Sequence, residues 1–497
     1  MKYILALDQG TTSSRTIVFD QDLRPVSSAQ REFRQIYPRP GWVEHDPFDI
    51  VSTQTQTLRE AVSRAGIDAM DIVAIGIANQ RETAVLWERA TSRPVHNAIV
   101  WQCRRTADRC TELKNAGCEA DVRARTGLVL DAYFSASKLQ WLLDNVPGAR
   151  ASADRGGLAF GTVDSWLLWN LTADHRHCTD AANAARTMLY NIHQNNWDRE
   201  LLRLFDVPES VLPSLLPNAA PFGMLRGDIL GREIPILAMA GDQQAALFGQ
   251  ACFHSGDVKN TYGTGCFLLM NTGAQAVDSA NRLLTTVAWD IGNGPVYALE
   301  GSVFMAGAVL QWLRDELGLL RSAGESEELA LSVTDTGGVY LVPAFTGLGA
   351  PWWDMYARGT LVGLTRGSNR AHLVRAALEA IALQSLDVLR AMEADAGKSI
   401  DALRVDGGAS ANRFLMQFQS DILERPVLRP ACAETTALGA AALAALAAGL
   451  CCDTAELAAK TQIAQRYDPQ ADPVHIRTLI SGWRKAITRA QAWEEKG

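Results

Sequence analysis

Two Gly/Thr-rich turns, each directly after an apolar run, constrain this chain more than any other feature. The first lies in LALDQGTTSSR at residues 5–15 and the second in NTYGTGCF at residues 260–267. A tight turn of small hydroxyl residues points backbone N–H groups and hydroxyls outward, a surface that suits phosphate oxygens. One such turn is an ordinary hairpin. Two of them half a chain apart suggest a nucleotide held between two related lobes.

The 497 residues exceed one ordinary core, so two large domains are expected. Residues 3–8 read as a buried strand with a hairpin partner at 15–20, and residues 72–78 as a second buried strand ending in Asn79-Gln80-Arg81-Glu82. Helical composition follows at 104–114 and 137–143. A short apolar strand at 235–240 ends in Gly241-Asp242 and leads into a helix at 243–250. The second half repeats the plan: a strand–turn–strand at 261–270, a strand at 339–343, a long helix at 373–389, and a strand at 403–405 before Asp406-Gly407-Gly408. Alternating strands and helices give an α/β class with largely buried sheets. The domain boundary is placed near residue 251, giving domains 1–251 and 252–497.

A net charge of -8 argues against a broad nucleic-acid footprint. The nine cysteines form no C-x-x-C pair, which suits a reducing cytoplasm, and the adjacent Cys451 and Cys452 read as buried thiols. The apolar run at 3–7 is too short for a secretory leader. Residues 435–452 are uncharged but rich in alanine and glycine, so they read as a closely packed buried helix and not a membrane span.

A Walker loop is excluded, because Met392 replaces the upstream glycine of the only Gly-Lys-Ser, at 397–399. The protein-kinase motifs are missing too. Asp8 precedes the first turn, where a carboxylate either holds Mg²⁺ against phosphates or bonds its own turn. Asp242 at a strand's carboxyl end either accepts a proton from an attacking hydroxyl or caps the following helix. Arg81 and Glu82 either bind neighbouring hydroxyls of a polyol or form a solvated pair. Trp101, Tyr133 and Phe267 are core residues or ligand walls. His175 and His177 read as surface residues, with no zinc frame around them.

LALDQGTTSSR, NQRET at 79–83, AIVWQCRRT at 98–106, YFSASKLQWLLDN at 133–145, GDQQAALFGQ at 241–250, NTYGTGCF, PAFTGLGAPWW at 343–353 and RVDGGASAN at 404–412 together resemble the FGGY carbohydrate kinase family. Within it they are similar to the members that phosphorylate glycerol. The likeness runs from about residue 3 to the terminal AWEEKG. It implies the actin/hexokinase/heat-shock-70 type of fold, with two ribonuclease-H-like domains flanking a catalytic cleft.

The resemblance also implies roles. Thr11, Thr12, Ser13, Arg15 and Thr264 would meet ATP's phosphates, with Gly307, Gln311, Gly408 and Asn412 as the remaining nucleotide contacts and Asp8 working with Mg²⁺. Arg81, Glu82 and Asp242 would bind glycerol's hydroxyls, assisted by Tyr133 and Gln243, with Trp101 and Phe267 on its carbons. Asp242 would be the general base in forming sn-glycerol 3-phosphate. A homodimer or homotetramer, a cytoplasmic location and no stable membrane insertion are implied as well. The stretch RGDILGREIP at 226–235 is shorter than the relatives' sugar-bisphosphate loop, and no histidine lies between Phe222 and Asp242. Residues 469–478 also depart from a regulatory docking surface of some relatives, so the expectation is a constitutive enzyme. The competing readings are a kinase for another small polyol or ketose, a phosphatase, or a non-catalytic actin-like nucleotide sensor.

Overall fold

The structure, a computed structural model, describes residues 1–494; residues 495–497 of the terminal AWEEKG lie outside the described residues. Two large sheets organise it. The first contains β1 (Tyr3–Gln9), β2 (Ser13–Asp20), β3 (Pro25–Glu32), β4 (Ile72–Asn79), β5 (Ala219–Leu225) and β6 (Ile234–Gly241), in the order β5-β6-β4-β1-β2-β3. The second contains β7 (Val258–Tyr262), β8 (Cys266–Gly273), β9 (Leu284–Asp290), β10 (Pro295–Val303), β11 (Leu403–Asp406), β12 (Val427–Pro430) and β13 (Ile463–Tyr467), in the order β9-β10-β8-β7-β11-β12-β13.

The sheets share one plan. β1 pairs antiparallel with β2 and parallel with β4, which pairs parallel with β6; β7 pairs antiparallel with β8 and parallel with β11, which pairs parallel with β12. An antiparallel edge strand closes each series. The two Gly/Thr turns are therefore the first hairpin of each half, at equivalent positions.

The alanine-rich segment forms the helix Thr435–Ala447, buried along almost its whole length. It packs on β4 and on the helix Asp242–Gly249. A Cβ on Gly439 would lie 1.8 Å from the Ala245 carbonyl oxygen, one on Gly249 2.2 Å from that of Thr435, and one on Gly76 2.1 Å from that of Ala440. Small residues here let backbones touch, and one apolar core joins Ile4, Phe19, Ala245 and Phe248 to Leu269, Ala441 and Leu443. Gly439→Val would force these backbones apart, at a cost of about 3 kcal/mol. A lowered thermal midpoint is the expected result, whereas Gly408→Ala, with nothing within 4 Å of its Cβ, leaves the midpoint unchanged.

The strand expected at 339–343 forms at residues 340–342 and, among the described residues, pairs with Thr360–Val362 in a side sheet. Two expectations need correction. Cys451 is buried, but Cys452 is exposed; the helix ends at Ala447 and the chain turns outward. His177 is half-buried and not a solvated surface residue. It bonds the Phe160 carbonyl at 2.8 Å and packs edge-on against Trp87, and burial holds its imidazole down at about 4. Among the described residues no helix is long and apolar enough to cross a membrane.

Candidate active site

The site is built on one edge of the first sheet. Gln9 of β1 lies opposite Asn79 of β4, which lies opposite Gly241 of β6. Three parallel strands thus end together, and Asp8, Arg81 and Asp242 emerge at the edge where α/β sheets place ligands. Arg81 and Glu82 are 3% and 1% exposed, so they are not a solvated pair at a strand end. Glu82 has φ of 62°, a left-handed conformation that costs a non-glycine residue energy and is concentrated at functional sites. Gly241 leaves the space that Arg81 fills; a Cβ there would lie 2.7 Å from the arginine's Cδ.

A lattice of charges surrounds Arg81. Its Nη1 and Nη2 donate to the two carboxylate oxygens of Glu300 at 2.6 and 3.1 Å. Its Nε lies 3.3 Å from Asp242 and 3.7 Å from Glu82. Arg186 closes the ring, donating from Nε to Glu82 at 2.7 Å and from Nη2 to Glu300 at 3.0 Å. Burial alone would raise the Glu300 carboxyl, but Arg186 and Arg81 pull it down to about 2. At Glu82 burial prevails over the same two guanidinium groups, and its carboxyl is raised. Glu82 has only one short partner, whereas Glu300 has three donors.

Glu300 and Arg186 escaped the reading of the sequence. A lone glutamate inside the apolar run of β10 was the available signal for the first. Arg186 follows the short helix Ala181–Ala184 and carries no motif. Lys259 was also missed. It is fully buried on β7, donates to Thr261 Oγ1 at 2.8 Å and to the Gln243 side chain, and burial lowers its ammonium to about 8.

Asp242 is the first residue of its helix, and the cap position belongs to Gly241. Its side chain is 30% exposed at the rim of the lattice, and one oxygen accepts the Gln243 N–H at 2.7 Å. Asp8 lies within its field. Burial pushes the Asp8 carboxyl up to about 7; Arg15 opposes this, and Asp242 and Glu434 reinforce it. Arg15 itself reaches across the chain, pairing with Glu434 and donating to Gln30 at 2.8 Å. Glu434 adjoins Thr435, whose hydroxyl donates to Asp406 at the end of β11. Glycine at 407, with φ of 83°, lets the next turn press on the Tyr262 backbone, where a Cβ would lie 2.5 Å from the carbonyl oxygen. These contacts join the first turn to the second.

The aromatic candidates also converge. Trp101 stands edge-on to Tyr133 with ring centroids 5.6 Å apart, and its indole N–H donates to Thr11 Oγ1 at 3.0 Å. The Arg186 guanidinium lies 5.8 Å from the Tyr133 ring. Phe267 faces Thr261 and Ser302 in the sheet register, and Leu269, two residues on, faces Glu300. Alternation along β8 puts Phe267 on the same sheet face as Glu300.

At the two Gly/Thr turns, Thr12 and Thr264 are exposed, and Thr11 and Ser13 are half-buried. The helix Gly307–Asp315 begins against the second turn, its Gly307 N–H donating to the Gly263 carbonyl at 3.0 Å. Gln311 lies exposed one turn further along it. Gly408 opens a short 3-10 turn with free space at its Cβ. Asn412 caps the helix Arg413–Leu423 and donates to Ser326 at 3.2 Å, so its side chain is already engaged. Among the described residues no cluster of three or more His, Cys, Asp or Glu could hold a metal alone. A Mg²⁺ ion that keeps its waters and borrows phosphate oxygens needs only one or two carboxylates. The negative fields of Asp242 and Glu434 at Asp8 fit such a cation.

Two lobes on a common five-strand plan, each with a Gly/Thr turn in its first hairpin, define an actin-like ATPase type of fold. Residues 3–249 match the N-terminal domain of the FGGY family of carbohydrate kinases, and residues 258–448 match its C-terminal domain. The chain belongs to the FGGY family of carbohydrate kinases. It is 59% identical over 491 residues to a glycerol kinase of Symbiobacterium thermophilum, covering 99% of each chain. It is 58% identical over 496 residues to one of Pseudothermotoga lettingae, covering 100% of this chain and 99% of the relative. The Plasmodium falciparum glycerol kinase solved with ADP superposes with a TM-score of 0.93 at 35% identity, over 99% of this chain and 98% of the other. A xylulose kinase of Lactobacillus acidophilus shares the fold, with a TM-score of 0.88 at 23% identity over 98% of both chains.

Proposed function

We propose that this chain transfers the γ-phosphoryl group of ATP to a terminal hydroxyl of glycerol, yielding sn-glycerol 3-phosphate. The observation that carries this reading is the buried Arg81–Glu82–Glu300–Arg186 lattice with Asp242 at its rim. A three-carbon polyol offers little apolar area, so its affinity must come from charge-assisted hydrogen bonds in a small site. The near-complete coverage of relatives named glycerol kinase supports it too.

Arg81 and Glu82 would hold two neighbouring hydroxyls, fixed in place by partners that exclude water. Asp242, the most exposed acid of the group, would take the proton of the attacking hydroxyl. Trp101 and Phe267 would wall the carbon chain and crowd longer sugars, and the Trp101–Thr11 bond would tie that wall to the phosphate turn. Arg15 would leave Glu434 to meet phosphate oxygens. Asp8 would hold Mg²⁺, which when bound offsets phosphate charge. In this account lobes 1–251 and 252–497 supply one phosphate turn each. We place the enzyme in the cytoplasm as a homodimer or homotetramer.

The test is ADP release from MgATP with glycerol, with no acceptor, and with a panel of C3–C6 polyols and ketoses. Release that depends on glycerol, with dihydroxyacetone or glyceraldehyde as weak alternatives, is expected. A preference for a five- or six-carbon sugar would overturn the roles of Trp101 and Phe267.

A further inference from the structure

The helix Pro473–Ala490 carries Arg477, Arg484, Lys485 and Arg489 and no acidic residue, in a chain whose net charge is -8. Its apolar stripe of Ile476, Ile480, Trp483 and Ile487 is buried against the core. Beside that stripe a recess of about 440 Å³ opens against the helix Arg370–Ala396. Arg390, Arg477, Ser481, Arg484, Lys485 and Thr488 line it. None of these residues belongs to the cleft.

Four features set the recess apart from an ordinary solvated face. Its charges come from two different helices and converge. Among the described residues none of the four cations has a carboxylate at ion-pair distance, although Arg370 and Arg375 on the same long helix pair with Glu325 at 3.6 Å and Glu379 at 2.8 Å. Asp387, one turn before Arg390, attracts Arg390 and Arg484 from beyond ion-pair distance, but one of its oxygens accepts the indole N–H of Trp483 at 2.7 Å and of Trp352 at 3.3 Å. Finally, the Ser481 hydroxyl in the recess can donate as well, while the Thr488 hydroxyl donates to the Arg484 carbonyl at 2.7 Å.

Four like charges offset by one carboxylate beyond ion-pair distance repel one another and cost stability. A recess whose charged groups are all donors repels cations and gives neutral ligands no advantage. It favours an oxyanion with several charges, since guanidinium forks match phosphate geometry. The volume lies within the range of small-ligand sites and accepts a group larger than one phosphate. We propose that this recess is a second anion site, outside the cleft, that binds a phosphate-bearing polyanion, either free or displayed on lipid headgroups. The proposal does not depend on the kinase reading.

The experiment compares wild type with Arg477→Gln/Arg484→Gln at constant ionic strength. Calorimetric titrations use inorganic phosphate and tripolyphosphate. Co-sedimentation uses phosphatidylcholine vesicles with and without phosphatidylglycerol. Anion binding in the cleft is common to both proteins, so only the difference between them counts. Saturable binding weakened about tenfold or more in the double variant is expected, with Arg477→Lys/Arg484→Lys retaining part of it. Binding in the tripolyphosphate arm identifies a free anion, and binding only to phosphatidylglycerol vesicles identifies a lipid surface. Equal binding by wild type and variant in every arm, or no binding in any, overturns the proposal. Both arginines are exposed; should the double variant not fold, Lys485→Gln gives the same comparison with a smaller effect.

Discussion

Asp242→Asn lowers turnover with glycerol by about a thousandfold or more, the loss expected for removing a general base, and leaves the KM for ATP nearly unchanged. The structure makes this substitution clean. An asparagine side-chain oxygen can still accept the Gln243 N–H that the aspartate now accepts at 2.7 Å. The helix cap is Gly241, so the helix start is preserved. The nearby Arg81 keeps its bidentate partner Glu300. What is lost is the carboxylate proposed to take the proton. Steady-state kinetics with each substrate varied in turn measure the effect. Turnover within tenfold of wild type would mean that another group accepts the proton.

Glu300→Gln carries the second large effect. The carboxylate is completely buried and compensates Arg81 and Arg186 together. Removing one member of a buried ion cluster leaves charge unpaired, at a cost of about 3–5 kcal/mol. Arg81 would then turn toward Glu82 and Asp242, disturbing both proposed glycerol contacts. The kcat/KM for glycerol is expected to fall about a hundredfold while the KM for ATP stays near wild type, which separates positioning from general loosening. Glu300→Asp, which keeps the charge, should recover part of the loss. The pH dependence has a definite sign. The folded-state carboxyl is depressed to about 2 from an ordinary 4.5, so its stabilisation is full above 4.5 and disappears as pH falls toward 2. The stability gap between wild type and variant should therefore close over that window in denaturant titrations. A folded variant with glycerol kinetics within twofold of wild type would show that the lattice does not position the site.

Much of this site was legible because its chemistry is local. Turn residues, strand ends and the acids after them are read within a few positions, so Asp8, Arg81, Glu82 and Asp242 stood out, and the structure gathers them at one sheet edge. Their partners are remote. Glu300 is 219 positions from Arg81, Arg186 is 104 from Glu82, and Glu434 is 419 from Arg15. No periodicity links such pairs, and only the fold brings them together. The same limit explains Arg81 and Glu82, which local sequence could present as a solvated pair: their burial comes from β10 and from Arg186. Strand pairing behaved alike. β1 and β2 announce each other across a three-residue turn, whereas the strand at 340–342 gave no sign that it lies outside the main sheets.

The most direct test follows the phosphorus. Wild-type protein incubated with MgATP and glycerol is observed by phosphorus NMR. A phosphomonoester resonance of sn-glycerol 3-phosphate growing in step with ADP, and almost no product without glycerol, is the expected result. Inorganic phosphate released at the same rate with or without glycerol, or no ADP at all, would contradict it and leave a hydrolase or a nucleotide sensor on the same fold.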